Sequence, residues 1–270
     1  MSNNLTIFVN TSDGFEDCWI PFFQLFTKHW PSCIYQILLN TEFKEFSFEG
    51  LNIKCTKVHE EFKNRKLTWS ECFLLGLEQV VTPYVLYLQE DYFFETPVRL
   101  DIIDSFLKKM EGDTSIKYIG LTDIGNYPPF KDFIEDNRLV EVGNGKYRIS
   151  TQAALWDKQI LLSYILPHEN GWMFEIFGTE RAKKRSDRFL TANRNIFSRK
   201  NNPLLSYEHT GIIKGRWHPS MEPLFKKNNI DVNFELRGFY KSKPYLLRKI
   251  ETMFKLLKNP FSFINSMIKR

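Results

Sequence analysis

The chain has 270 residues, 43% of them hydrophobic and 26% charged, which suits a globule with one good-sized core, or a core plus a small appendage, and so one main domain. No segment approaches the roughly 18 uninterrupted apolar residues of a membrane span, and MSNNLTIFVN enters a strand-like run without the regions of a secretion signal, so a cytoplasmic location is expected. The net charge of +5 is local: residues 241–270 hold eight Lys or Arg against the single Glu251, and residues 181–200 hold eight against Asp187. Two basic segments of this kind do not make a general nucleic-acid surface, and no nucleic-acid partner is expected.

LTIFVN (5–10) reads as a first strand, followed by a helix that spaces Trp19, Phe22, Phe23, Phe26 and Trp30 along one face, with Pro21 near its start. CIYQILLN (33–40) and LNIKC (51–55) read as the second and third strands. A helix over 67–81 places Trp69, Phe73, Leu77 and Val80 on one stripe and leads into the strand YVLYLQ (84–89). Next come a helix near 98–110 and a strand at 117–121. A Pro- and Gly-containing stretch runs to about 136. RLVEVGNGKYRIS reads as a β-hairpin turning on Gly143-Asn144-Gly145. TQAALW is a further strand, with Asp157 capping the helix DKQILLSYI. A later helix is expected over GTERAKKRSDRFL.

Cys18, Cys33, Cys55 and Cys72 are widely separated, with no CxxC pair and no His at ligand spacing, which argues for free thiols over a zinc site or disulfide framework. The chain holds 25 Phe, 11 Tyr and 6 Trp. Most of these must be core, and the remainder can stack on sugars or bases.

Alternating strands and helices predict a largely parallel sheet, whose ligands bind beyond the carboxyl ends of the strands. Behind strands one and four stand TSDG (11–14) and EDYF (90–93), both polar and both carrying carboxylate. Glu90 and Asp91 at a strand's end can hold a divalent cation that screens a diphosphate leaving group, or they can simply cap a helix or face solvent. GxGxxG and GxxxxGK[ST] are absent, which removes dinucleotide and P-loop readings.

The succession of NTSDGFEDCWIPFF, TWSECFLLGLEQVVTPYVLYLQEDYFF, ISTQAALW and NGWMFEIFGTERA, over roughly residues 5–220, resembles bacterial glycosyltransferases of GT-A type from surface-polysaccharide clusters. The resemblance implies a GT-A-like (Rossmann-like) mixed α/β sheet flanked by helices. It also implies that Thr11 and Asp13 contact the nucleoside, that Trp69 and Ser70 border it, and that Glu90 and Asp91 face the diphosphate with Mn2+ or Mg2+. A strict DXD motif is missing, because position 89 is Gln and position 93 is Phe.

Inverting transfer needs a carboxylate that takes the proton of the attacking hydroxyl. Glu175 is the candidate base, with Glu169 and Glu180 as rivals. Trp172, three residues earlier, can stack on an acceptor sugar or belong to the core. Arg181, Lys183, Lys184, Arg185 and Arg188 form either a solvated helix face or a phosphate contact. The later segment 206–220 carries His209, His218, Lys214 and Arg216, and by the resemblance His209 is a candidate metal ligand beside Asp91.

In the tail, Leu246, Leu247, Ile250, Met253, Phe254 and Leu257 recur at helical spacing among Lys and Arg, and Phe261, Ile264 and Ile268 start a second stripe. This amphipathic helical tail suits an anionic membrane surface, or docking on the protein's own body or on a second subunit. The expected organisation is a catalytic domain over 1–240 and a basic tail over 241–270, peripheral to the inner face of the cell membrane. The expected partners are a nucleoside-diphosphate sugar, UDP-linked by preference, and a glycan or lipid-linked acceptor. The alternative is a non-catalytic carbohydrate- or nucleotide-binding protein on the same fold.

Overall fold

The computed structural model describes residues 4–242, 244 and 260–269. The strands β1 (Leu5–Asn10), β2 (Gln36–Asn40), β3 (Ile53–Cys55), β4 (Tyr84–Gln89), β5 (Ile116–Gly120), β6 (Phe130–Asp132), β7 (Leu139–Val142), β8 (Ala154–Asp157) and β9 (Arg188–Ala192) form one sheet. Its order is β3-β2-β1-β4-β8-β5-β9-β7-β6. The first four strands are mutually parallel, whereas β8 runs antiparallel to both β4 and β5. Segments that follow β1, β4 and β5 therefore share an edge with the segment that precedes β8. Both cavities described below open at that edge.

Helices α1 (Glu16–His29), α2 (Trp69–Glu78), α3 (Leu100–Gly112), α4 (Lys158–Tyr164) and α5 (Gly171–Lys183) cover the two faces. Strand residues alternate between two cores, as a period of two requires. Ile7, Val9, Leu86 and Leu88 join the aromatic stripe of α1 and the apolar face of α3, while Phe8, Val85 and Tyr87 meet Phe73, Leu161 and Phe174 of α2, α4 and α5. Burying both faces explains why β1 and β4 read as near-continuous apolar runs. Asp157 caps α4 as expected, accepting the Ile160 N–H at 3.1 Å.

Three expectations need correction. Pro21 lies inside α1, beyond its first turn. The hairpin expected over 138–150 does not form: β7 pairs with β6 and β9, and neither Gly143 nor Gly145 has positive φ, which falls instead on Tyr147 at 52°. Those glycines serve close approach, since the Gly143 N–H bonds the Pro129 carbonyl at 2.9 Å and a side chain there would sit 2.9 Å from the same oxygen. The helix expected over 178–190 begins earlier, at Gly171, where the Asn170 side chain accepts the Met173 N–H. It stops at Lys183, because RFLTA supplies a buried strand between β5 and β7.

β10 (Ile212–Ile213) and β11 (Arg216–Trp217) form a tight hairpin. Its turn residues Lys214 and Gly215 take φ of 52° and 77°, the positive pair that a two-residue turn demands. Further on lie α6 (Met221–Lys227) and α7 (Pro260–Ile268). The first tail stripe, Leu246 to Leu257, lies outside the described residues. The second is in α7, which packs Phe263 on Phe177 of α5 at 5.3 Å between ring centroids and places Ser266 Oγ 3.0 Å from His168 Nε2. Phe261, Ile264 and Ile268 of that stripe remain exposed. Among the described residues no helix is long and apolar enough to cross a membrane.

Candidate active site

A cavity of about 370 Å³ opens at the ends of β1 and β4, lined by Asn10, Thr11 and Ser12 on one side and Gln89, Glu90 and Asp91 on the other, with Trp69, Phe15 and Lys214 among its walls. Trp69 reaches it because Thr68 and Glu71 form a reciprocal capping box, which fixes Trp69 as the first residue of α2. Thr-x-x-Glu at 68–71 carried that signal in the sequence. Beneath the cavity, Asn40 donates to Asn10 Oδ1 at 2.9 Å and accepts from Thr56 Oγ1 at 2.9 Å. This buried polar ladder ties the ends of β1 and β2 together.

Asp91 is 5% exposed. Its Oδ2 accepts from Thr210 Oγ1 and from the Ile212 N–H at 3.1 Å, so the segment before β10 is stitched onto the end of β4. Asp91 Oδ1 is buried without a hydrogen-bond partner. Burial pushes both the Glu90 and Asp91 carboxyls above the usual carboxylate range, and the neighbouring Asp91 charge raises Glu90 further. A buried carboxylate pair with an unpartnered oxygen is a donor set that a hard divalent cation fits.

A second cavity, about 340 Å³, adjoins the first and shares Gln89 and Thr210 with it. Glu175, Thr151, Gln152, Tyr127, Tyr147 and His209 are among its lining residues. Glu175 Oε1 accepts both the N–H and the hydroxyl of Thr151, at 2.8 and 2.9 Å. Burial nevertheless holds its carboxyl above the ordinary glutamate value. Neither rival is equivalent. Glu169 is buried in a bidentate pair with Arg181, at 2.8 and 2.7 Å, and Glu180 pairs with Lys183 at 2.7 Å.

Of the residues singled out by sequence, Thr11, Trp69, Glu90 and Asp91 line the first cavity, and Glu175 and His209 the second. Asp13 lines neither: its carboxylate accepts the backbone N–H groups of Glu42 and Phe43 at 2.9 Å each and of Lys44 at 3.2 Å. Ser70 is fully buried in α2 and lines neither cavity. Trp172 is 43% exposed on the first turn of α5 and also lies outside both linings. In the basic run, Arg185 pairs with Asp187 and Arg188 with Asp113. His218 Nδ1 lies 2.6 Å from Ser220 Oγ.

Tyr127, Tyr147, Gln152 and Lys214 are among the lining residues that sequence reasoning passed over or left unplaced, because nothing local tells which loops share an edge. Among the described residues, Glu42, His59 and Cys72 form the one group of three or more ligand-type side chains whose atoms lie within 4.8 Å of one another. His59 Nε2 accepts the Leu67 N–H at 3.0 Å. The neutral ring must then carry its proton on Nδ1, the nitrogen facing Glu42 at 3.6 Å, and a metal there would displace that proton. The four cysteines are free thiols, with Cys18 and Cys55 buried.

No protein-family model matches the sequence, and no curated protein matches it. Solved structures with a similar chain path include a mycobacterial protein, at TM-score 0.46 and 11% identity over 84% of this chain and 76% of that one. Glucosyl-3-phosphoglycerate synthase from Mycobacterium tuberculosis, in complex with phosphoglyceric acid, gives TM-score 0.46 and 10% identity over 84% and 81%. For S. aureus TarS 1–349 the values are 0.44 and 10%, over 70% of this chain and 57% of that one. Likeness at this level is remote.

Proposed function

We propose that this chain is a GT-A-like glycosyltransferase that moves a sugar from a nucleoside diphosphate to a hydroxyl of a glycan or lipid-linked acceptor. The observation that carries the reading is the meeting of two cavities at Gln89 and Thr210, one floored by the Glu90–Asp91 pair and the other by Glu175. Trp69 and Thr11 border the nucleoside. Asp91, with Glu90 beside it, would hold Mn2+ or Mg2+, and His209, which lines the second cavity, would serve as a further ligand. When bound, the cation neutralises the diphosphate and so makes it a better leaving group.

Glu175 accepts the proton of the acceptor hydroxyl as its oxygen bonds to the anomeric carbon. The bond from that carbon to the phosphate oxygen breaks, and the nucleoside diphosphate leaves with the electron pair. A carboxyl held above its ordinary range by burial is a better proton acceptor than a solvated one. The domain reading places this chemistry in residues 1–240. The basic tail, with Phe261, Ile264 and Ile268 exposed on α7, rests on the anionic inner face of the cell membrane.

The test is a thermal-shift series of nucleoside diphosphates with and without manganese, followed by nucleoside-diphosphate release from UDP-sugars in the presence of glycan acceptors. UDP should raise the unfolding temperature, more so with manganese. Binding without turnover across all donors would favour a carbohydrate- or nucleotide-binding protein, and no binding at all would remove the reading.

A further inference from the structure

Two tyrosines, Tyr127 and Tyr147, are among the residues that wall the second cavity. Tyr127 is 52% exposed, and its ring centroid lies 5.5 Å from that of Tyr147 at an interplanar angle of 39°. Neither ring belongs to the two hydrophobic cores. Tyr147 is held at a φ of 52°, a left-handed conformation that costs a non-glycine residue about 1 kcal/mol or more. Buried Asn126 maintains it, donating to the Tyr147 and Arg148 carbonyls at 3.1 and 3.2 Å while its own Oδ1 accepts from Tyr118 Oη at 3.0 Å. The Tyr127 N–H bonds the Lys146 carbonyl at 3.3 Å and joins the two segments.

The wall faces a floor of hydrogen-bonding groups: Gln89, Ser150, Thr151, Gln152 and Glu175 line the same cavity, and neither Lys nor Arg does. Aromatic rings beside amide and hydroxyl groups, with a single carboxylate among them, match a pyranose, which presents C–H groups on one face and hydroxyls around its rim. A phosphate or carboxylate would meet the Glu175 carboxylate with no Lys or Arg in the lining to offset it. Resting on the transferase reading above, we infer that Tyr127 and Tyr147 form the acceptor platform, and that the acceptor's reacting end is an uncharged pyranosyl unit with one hydroxyl turned to Glu175.

The experiment uses the full chain and saturation-transfer NMR with two probe sets: neutral methyl pyranosides and disaccharides, and sugar phosphates with 3-phosphoglycerate. At least one neutral saccharide should receive saturation on its ring protons, and Tyr127→Ala and Tyr147→Ala should each weaken its binding about tenfold, the scale of a lost aromatic contact. Tyr127→Phe should retain it, which separates a stacking role from a folding defect, and the UDP thermal shift of all three variants should match the parent. Preference for the phosphorylated probes, absence of any saccharide signal, or a signal untouched by both alanine variants would overturn the platform. Saccharide binding that is lost in the alanine variants upholds it even where UDP gives no shift, an outcome that sinks the transferase reading alone.

Discussion

Thr151 holds Glu175 twice, with its backbone N–H and its hydroxyl converging on the same carboxylate oxygen at 2.8 and 2.9 Å. Thr151 is in turn fixed by Tyr92, whose phenol donates to the Thr151 carbonyl at 2.7 Å, and Tyr92 directly follows Asp91. The carboxylates of the two cavities are therefore linked by a short path that runs from Asp91 along the chain to Tyr92 and then through hydrogen bonds to Thr151 and Glu175.

Glu175→Gln should reduce turnover by about 100-fold or more, the scale of a lost general base, while leaving the UDP thermal shift intact. The amide oxygen can still accept both Thr151 bonds, so folding should survive. The stability effect has a definite sign. Burial raises the carboxyl above its unfolded value, so its contribution is fully present below the unfolded pKa and is lost as pH rises through the folded one. Relative to the parent, the glutamine variant should thus gain stability toward neutral pH, and the acidic limb of the parent's turnover profile should lie above that of an ordinary glutamate. Chemical denaturation and pH-rate profiles on both proteins decide the matter.

Glu169→Gln tests whether Glu169 is structural, against the base proposed at Glu175. Glu169 is fully buried against Arg181, which also donates to the Tyr164 carbonyl at 2.7 Å. Breaking such a pair strands the guanidinium and should cost about 3–5 kcal/mol of stability. Turnover per folded molecule should be nearly unchanged. A stable variant with 100-fold slower turnover would make Glu169 the base in place of Glu175.

Much of this arrangement was legible in the sequence, where apolar runs ending in polar residues marked the edges of β1 and β4. Glu175 was also reachable, because an acid near an aromatic ahead of a helix is a local pattern, although the helix in fact starts before it. Asp13 and Tyr147 were not. The role of Asp13 is decided by a loop some 30 residues away whose amides it gathers, and the Gly143–Gly145 signal for a hairpin was overridden by packing against Pro128 and Pro129. Propensity names the turn-formers, but tertiary contact decides which conformation they take.

Asp91→Asn should lower transfer by at least about tenfold by removing charge at the unpartnered oxygen. The amide carbonyl can retain the bonds from Thr210 and Ile212, so the segment before β10 should stay attached. The manganese-dependent part of the UDP thermal shift should shrink more than the manganese-independent part. An equal shift with and without manganese in the parent protein would remove the cation from the account.

The tail reading makes two separable demands. Deleting residues 244–270 takes away α7, and with it the Phe263–Phe177 contact and the Ser266–His168 hydrogen bond. The body should still fold and bind UDP, because both cavities are lined by residues before 216, but exposing Phe177 should cost about 1–2 kcal/mol. The intact chain should co-sediment with anionic vesicles through Phe261, Ile264 and Ile268 and the surrounding Lys and Arg. Raising salt from about 0.1 M to 1 M shortens the Debye length from about 10 Å to about 3 Å and should release part of it, leaving an apolar remainder bound. The truncated chain should stay in the supernatant at either salt. If the intact chain also stays there while truncation lowers the unfolding temperature, α7 serves only to cover α5, and its exposed stripe has no membrane role.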